Sequence, residues 1–377
     1  MELATMTINP QFYACIMAGG SGERFWPMSR QRSPKQLTKL FGPTTLIEDT
    51  VRRLEGVVRR ENIFVLTNQL QLAATRAALP MLAADQIVAE PAKRDTAPAA
   101  ALAVALVRSR DPRGVMALLS SDALIHNGQR AGEQLGAALR RATQTDALLT
   151  FGIPPTTPAT GFGYLELGDE VARGAEGSVF RRVQRFVEKP DAATAQQYVE
   201  SKRFLWNAGM FIWRTEAFLA EAERHAPGLA KFIREFPAAH PAAGAGQRVS
   251  PGVRSASELY IGERFPTLEP KVSLDYAIME KAAAVEAVVA QFDWDDVGLW
   301  TALPKHLPPD PSGNTIKGSV AAVASTNNIA VSNGRMIALC GVKDLVVVET
   351  ADAVLICHRD AVQNIKQLMP HLPKELL

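Results

Sequence analysis

Four charged side chains, Arg24, Lys35, Asp122 and Asp296, are of the types that phosphate chemistry needs, although the chain spreads them over most of its length. Arg24 and Lys35 stand in "IMAGGSGERFWPMSRQRSPKQL" (Ile16 to Leu37), where a short apolar run turns into Gly19, Gly20 and Gly22. Glycines at such a turn expose backbone N–H groups, and two flexible cations beside them suit a triphosphate whose charge must be neutralised during reaction. The pattern is not a Walker loop, because no Lys-Ser/Thr follows the glycines at the needed spacing. It is not the dinucleotide fingerprint either, since Phe25 occupies the place of the third glycine. The bland alternative is a tight strand-to-helix turn with surface cations, which "PMSRQRSPKQ" downstream weakens.

Asp122 closes the apolar run "GVMALLSSD", and Asp296 sits in "DWDDVGLW". Two carboxylates from distant segments, each at a strand end, are what an octahedral Mg²⁺ bridging phosphate oxygens asks of a protein. A lone Asp at a strand end is as readily a cap or turn former, and only the loop favours metal. On the residues alone Asp293 and Asp295 compete with Asp296. In "FVEKP" the period of two puts Glu188 and Lys189 on opposite sides of a strand end, the lysine suited to an anion and the glutamate to sugar hydroxyls. "WNAGMFIW" places Asn207, a good hydroxyl reader, in a glycine-containing turn. The five tryptophans all fall in or beside these motifs and read as packing around a site.

The elements that must position these groups are legible as alternation. "FYACIMA", "NIFVLTN", "QIVAEP", "GVMALLSSD" and "ALLTFGI" read as buried strands. Between them, "TLIEDTVRRLEGV" is amphipathic with Leu46, Ile47, Val51 and Leu54 on one side, and "DTAPAAALAVALVRSR" starts with cap-type residues and an early proline. This order predicts a mostly parallel sheet with helices on both faces, whose ligand lies beyond the carboxyl ends of the strands. From Phe162 to Trp213 strand-like runs surround one helix near Ala192–Ser201, and Phe236–Val253 reads as a surface loop. "SLDYAIMEKAAAV" reads as helical. After "LPPDPSGN" five short β-rich runs predict a separate β domain, with repeats too irregular for a strict solenoid period.

Composition narrows the class. At 377 residues, 47% hydrophobic and 21% charged, the chain is long enough for one large domain and a smaller one. Forty-one Lys and Arg against 39 Asp and Glu leave no basic excess for nucleic acid. Three cysteines are too few for a disulfide scaffold, no CxxC or HExxH pattern marks zinc, and no signal peptide is visible. The apolar window "APAAALAVALV" is far short of the roughly 20 residues that span a bilayer. The expectation is a cytoplasmic protein with neither nucleic-acid nor membrane partners.

The ordered set "AGGSGERFWPMSR", "PKQ", "EPAKRDTAPA", "LLSSD", "TGFGYLEL", "FVEKPD", "WNAGMFIW", "SLDYAIMEK", "DWDDVGLW" and "DLVVVETADAVLICHRD" resembles the sugar-phosphate nucleotidylyltransferases, more narrowly the bacterial mannose-1-phosphate guanylyltransferases. The resemblance runs through essentially the whole chain. It implies an α/β fold, with a Rossmann-like nucleotidyltransferase domain of mixed, mostly parallel sheet over residues 1–306. A small C-terminal left-handed β-helix-like domain over 307–377 would follow. It also implies Mg²⁺ and the reaction of GTP with mannose 1-phosphate to GDP-mannose and pyrophosphate. The cupin-type isomerase domain of longer relatives is expected to be absent, and a homodimer is expected, with an edge of the β-rich tail as its surface.

Carried over by position, Ala18, Gly19, Gly20 and Gly22 would lie against the nucleotide, with Arg94 and Thr96 near the guanine. Arg24 would engage the GTP phosphates and Lys35 would assist at the α-phosphate. Gly163, Glu188, Lys189 and Asn207 would hold mannose 1-phosphate, and Asp275 would face the sugar or the metal. Asp122 and Asp296 would hold Mg²⁺, and the resemblance is what selects Asp296 over its neighbours. Two positions depart from the family pattern: Asp95 where many relatives have Asn, and Ser121-Asp122-Ala123 where relatives usually have Ala-Asp-His. The rival readings are a nucleotidylyltransferase for another hexose 1-phosphate, and a non-catalytic subunit that senses GDP-mannose. A sensor tends to lose the loop cations or the metal carboxylates, and here Arg24, Lys35, Asp122 and Asp296 are all present.

Overall fold

The computed structural model describes residues 12–174, 176–238 and 255–377. Residues 1–11, where no signal peptide is expected, and most of the expected surface loop, from 239 to 254, lie outside the described residues. Nine strands form one mixed sheet: β1 (Phe12–Met17), β2 (Ile63–Asn68), β3 (Ile87–Glu90), β4 (Val115–Ser120), β5 (Leu148–Ile153), β6 (Tyr164–Arg173), β7 (Val179–Val187), β8 (Phe204–Arg214) and β9 (Val285–Val289). Their order is β3-β2-β1-β4-β8-β5-β9-β7-β6. The pairings set β7 and β8 against the other seven strands, so the sheet is mixed and mostly parallel, as expected.

Alternation along the strands divides the core between the two faces. Phe12, Ala14 and Ile16 of β1 join one cluster with Ile63 and Val65 of β2, while Tyr13 and Cys15 join the other with Phe64 and Leu66. Helices α1 (Leu46–Arg52), α2 (Leu72–Ala78), α3 (Thr96–Arg110), α4 (Gly128–Ala142), α5 (Ala192–Ser201), α6 (Thr215–His225), α7 (Pro227–Glu235) and α8 (Ala256–Arg264) cover these faces. Helix α1 starts on a capping box between Thr45 and Glu48. Helix α3 is buried on all sides from Ala97 to Val107, packed between the sheet and helices α6 and α7. Its alanines admit that close approach. No helix among the described residues is long and apolar enough to cross a membrane.

One expected element is shorter than the sequence suggests. "SLDYAIMEKAAAV" forms only a π-helical turn, Asp275–Met279, and by Val285 the chain is already in β9. Pairing of β9 with both β5 and β7 claims those residues, and no local helical preference competes with two flanking strands.

The β-rich remainder contains β10 (Thr315–Lys317), β11 (Val320–Val323), β12 (Ile329–Ser332), β13 (Ile337–Cys340), β14 (Leu345–Glu349), β15 (Val354–His358) and helix α9 (Ile365–Leu368). Strands β10, β12 and β14 stack in parallel, as do β11 and β13, in the manner of successive coils of a β-helix. The coils are uneven because β10 meets β12 fourteen residues on (Thr315 opposite Ile329), while β12 meets β14 seventeen on (Ile329 opposite Val346). Buried asparagines tie them: Asn328 donates to Asn314 Oδ1 at 2.9 Å, and Leu345 N donates to Asn328 Oδ1 at 2.9 Å. This domain is seated on the first loop. Phe25, Trp26 and Leu40 share an apolar cluster with Ile329, Val346 and Ile365. Trp26 Nε1 also donates to the carbonyl of Leu376 at 2.9 Å, and Arg30 pairs with Asp352 at 2.8 Å.

Candidate active site

An open cleft of about 1100 Å³ lies past the carboxyl ends of β1 and β4. Of the residues singled out from the sequence, Gly22, Arg24, Lys35, Asp122, Gly163, Glu188, Asn207, Asp275 and Asp296 all line it.

The loop owes its shape to side chains that follow it. Buried Gln36 donates from Nε2 to the carbonyls of Ala18 (2.9 Å) and Gly20 (3.2 Å), and Gln71 Nε2 donates to Gly20 O at 3.2 Å. Gly22 has φ 60°, and a Cβ there would come within 2.8 Å of both Lys35 Cβ and Ser29 Oγ. Gly20 has nothing within 4 Å of such a Cβ. The fold therefore requires glycine at Gly22, while a Cβ at Gly20 would meet open space. Gly22→Ala is expected to cost at least about 1 kcal/mol and to lower Tm. Gly20→Ala should leave Tm unchanged, and thermal melts of the two variants will separate them.

Lys35 is 4% exposed, and its ammonium is fully engaged. It pairs with Asp122 Oδ2 at 2.9 Å and donates to the carbonyls of Asp296 (2.7 Å) and Val297 (3.1 Å). These contacts use all three of its hydrogens. Arg24 is the opposite case, since its Nε is buried with no hydrogen-bond partner. A buried guanidinium N–H left open is costly unless an acceptor arrives.

The structure separates the three aspartates of "DWDDVGLW". Asp293 accepts from the amides of His126 (2.8 Å) and Asn127 (2.9 Å), at the start of α4. Asp295 accepts from Val297 N at 2.7 Å and pairs with Lys305 at 3.2 Å. Both are occupied by the fold, whereas Asp296 lines the cleft together with Asp122. Burial pushes the Asp296 carboxyl up; Lys35 opposes the shift, and Asp295 and Asp122 add to it. Two carboxylates sharing a cleft with room for phosphate oxygens and water form the donor set Mg²⁺ uses, so the residues present fit that ion.

On the opposite wall, Asn207 belongs to β8 and sits where a bulge shifts its register against β5. It is not in a turn, as expected from its glycine neighbour; Gly209, at φ 65°, provides the bulge instead. Thr150 Oγ1 donates to Asn207 Oδ1 at 2.8 Å, and Asn207 Nδ2 donates to Asp275 Oδ1 at 3.0 Å. Glu188 and Lys189 are not on opposite sides of a strand end. Strand β7 stops at Val187, Lys189 turns to φ 46°, and its Nζ pairs with Glu188 Oε1 at 2.6 Å. The glutamate lines the cleft and Lys189 stays exposed beside it. A Cβ at Gly163 would fall 2.6 Å from Glu188 Oε2, so glycine there admits the carboxylate.

Burial, helped by nearby Glu188, pushes the Asp275 carboxyl up to about 6. Because the folded value lies above the unfolded one, the protonated group favours the fold below about pH 4. That contribution is lost as pH rises through about 6. Asp275→Asn keeps the acceptor for Asn207 and removes the charge. It should raise Tm at pH 8, by no more than about 3 kcal/mol of stability, with the gain vanishing near pH 4. Melts of both proteins across pH 4–8 measure this, and a constant difference would refute it.

The nucleotidyl transferase family model matches residues 13–308, and the mannose-phosphate isomerase/GMP-like β-helix domain model matches residues 318–372. The chain belongs to the nucleotidyl transferase family. It is similar to a mannose-1-phosphate guanylyltransferase of Escherichia coli (strain K12), 35% identical over 369 residues, which are 96% of this chain and 73% of that protein. A mannose-1-phosphate guanylyltransferase of Salmonella typhimurium is 38% identical over 366 residues, 95% of this chain and 72% of that protein. A solved chain from Thermus thermophilus, described as a mannose-1-phosphate geranyltransferase, superposes with a TM-score of 0.81 at 30% identity, over 96% of this chain and 99% of that one. The resemblance read from the motifs is thereby borne out, and so are the fold class and the enzyme class.

Some residues expected at the site do not line this cleft of the nucleotidyl transferase. Arg94 donates to Leu268 O (2.8 Å) and pairs with Glu269 (2.9 Å), while Thr96 Oγ1 accepts from Leu274 N at 2.8 Å. Both hold the segment that leads to Asp275. Ala18, Gly19 and Gly20 belong to the loop but not to the lining of the cleft. Asp95 caps α3 at φ 75°, its side chain accepting from Thr96 N at 2.8 Å. Sequence reasoning missed Phe162, Trp294 and Lys366, which also line the cleft. Phe162 adjoins Gly163 and packs edge-on against Trp206 (5.1 Å) and Trp294 (5.5 Å), so the motif itself held that signal. Lys366 had none.

Proposed function

We propose that this chain transfers GMP from GTP to mannose 1-phosphate, giving GDP-mannose and pyrophosphate, with Mg²⁺ as cofactor. The observation that carries the reading is the convergence in one cleft of Arg24, with its unpartnered buried Nε, and the carboxylates of Asp122 and Asp296. The mannose-1-phosphate guanylyltransferases to which the chain is similar supply the identity of the substrates.

An oxygen of the sugar phosphate forms a bond to the α-phosphorus of GTP. The bond from that phosphorus to the oxygen bridging the β-phosphorus breaks, and pyrophosphate leaves with the electron pair. The attacking phosphate is already ionised near neutrality, so no general base is needed, and rate comes from alignment and charge. Arg24 donates to the triphosphate and stabilises the charge that builds on it. Lys35 acts chiefly as a positioning residue, holding Asp122 and the carbonyls of Asp296 and Val297 in register. Asn207, Glu188 and Asp275 orient the hexose through its hydroxyls. Asp122 and Asp296 would hold Mg²⁺, which when bound supplies Lewis-acid neutralisation of phosphate oxygens.

The reading includes a division of the chain into domains at residues 306 and 307 and a cytoplasmic setting, which the free thiols of Cys15, Cys340 and Cys357 suit. It also includes a homodimer, for which strand β15 offers an edge exposing Val354 and Ile356. The test is pyrophosphate release with Mg²⁺ across a matrix of nucleoside triphosphates and sugar 1-phosphates. Turnover confined to GTP and mannose 1-phosphate is expected. Turnover with a different pair would replace the substrates, and silence with every pair would overturn the enzymatic reading in favour of a sensor.

A further inference from the structure

We propose that Lys366, carried by the β-helix-like domain, is a nucleotide-binding residue that grips the β- and γ-phosphates, so that both domains build one active site. The inference rests on the reading that this cleft takes a triphosphate.

Lys366 lines the same cleft as Arg24, Lys35, Asp122 and Asp296, although it follows them far along the chain. Its helix, α9, packs directly on the 3₁₀ turn Glu23–Phe25 that carries Arg24. The anchor is Ile365, 1% exposed in the apolar cluster that includes Phe25 and Trp26. The hydrogen bond from Trp26 to Leu376 and the ion pair of Arg30 with Asp352 hold the same domain to the same loop. The position of Lys366 over the loop is therefore set by packing on both sides of it.

Charge then assigns its partner. The cations lining the cleft are Arg24, Lys35 and Lys366, against the carboxylates of Glu23, Asp122, Glu188, Asp275 and Asp296. Lys35 has all its hydrogens engaged by Asp122 and two carbonyls. Among the described residues, neither Arg24 nor Lys366 makes an ion pair. A triphosphate bound here thus meets two open cations, and they lie on one side, at the loop. The residues read as hexose-facing, Glu188 after β7, Asn207 in β8 and Asp275 in the π-helical turn, present oxygen acceptors and an amide that suit hydroxyls. The end of the triphosphate that leaves as pyrophosphate is the part Lys366 would hold.

The experiment compares wild type, Lys366→Ala and Lys366→Arg in the full chain. KM is measured for GTP and mannose 1-phosphate forward and for pyrophosphate in reverse, together with equilibrium binding of GTP alone. Lys366→Ala should raise KM for GTP and pyrophosphate and weaken GTP binding by about tenfold, with KM for mannose 1-phosphate unchanged. Lys366→Arg should recover most of the loss, and melts should match, since the side chain is exposed. Unchanged GTP and pyrophosphate constants, or a change confined to mannose 1-phosphate, would overturn the proposal. Inactivity of the wild type with intact folding would instead overturn the reading on which it rests.

Discussion

Arg24→Ala is expected to lower kcat/KM by about a thousandfold, close to 4 kcal/mol of transition-state stabilisation, while the protein melts as the wild type does. The size follows from the lack of another open cation among the loop residues that line the cleft. Lys35 is the other loop cation that lines the cleft, but its ammonium is held by Asp122 and by two backbone carbonyls. Moving it to a phosphate would abandon its ion pair with Asp122. Among the described residues Arg24 has no such ties and its buried Nε has no hydrogen-bond partner, so removing it takes away an unsatisfied donor and not a structural bond. Arg24→Lys should recover only part of the activity, because an ammonium cannot reproduce the planar fork of a guanidinium. Steady-state kinetics with melting curves of the purified variants decide the matter, and wild-type turnover in Arg24→Ala would remove the loop from the chemistry.

That contrast between Arg24 and Lys35 could not be read from the sequence, where both are cations near glycines. Spacing shows that the two residues share a loop. It does not show that Gln36 and Gln71 pull the loop into shape, or that Lys35 reaches Asp122 and the segment of Asp296. The strands were legible because each alternates between two buried faces, as β1 and β2 do. The antiparallel entry of β8 between β4 and β5 was not, because its partners are remote and its own residues would suit either direction. The same limit hid the contacts of Arg94 and Thr96, whose partners at 268–274 come from far along the chain. Glu188 and Lys189 were misjudged for a local reason, since the period of two fails once the strand ends at Val187. In the loop, Trp26 and Arg30 turned out to seat the second domain, which places half of "FWPMSR" at a domain contact and leaves Arg24 lining the cleft.

The second large effect is expected for Asp296→Asn, with kcat/KM again down by about a thousandfold and the concentration of Mg²⁺ needed for half-saturation raised. Asparagine keeps the shape that fits against Gly298, so the change removes charge and little else. Asp122 is the less informative partner. Its carboxylate pairs with buried Lys35, and Asp122→Asn would leave that ammonium without its counter-charge, lowering stability as well as activity. Among the described residues Asp296 makes no salt bridge; Lys35 binds its backbone carbonyl and acts on its carboxyl only through the field. Burial holds its carboxyl above the usual range, so a cation must compete there with a proton. Affinity for Mg²⁺ should therefore rise with pH in the wild type and lose much of that dependence in Asp296→Asn. Titrations of Mg²⁺ at several pH values, followed by the fluorescence of neighbouring Trp294 and by turnover, would show it. Identical curves for the two proteins would leave Asp296 as a fold residue and return the metal to other ligands.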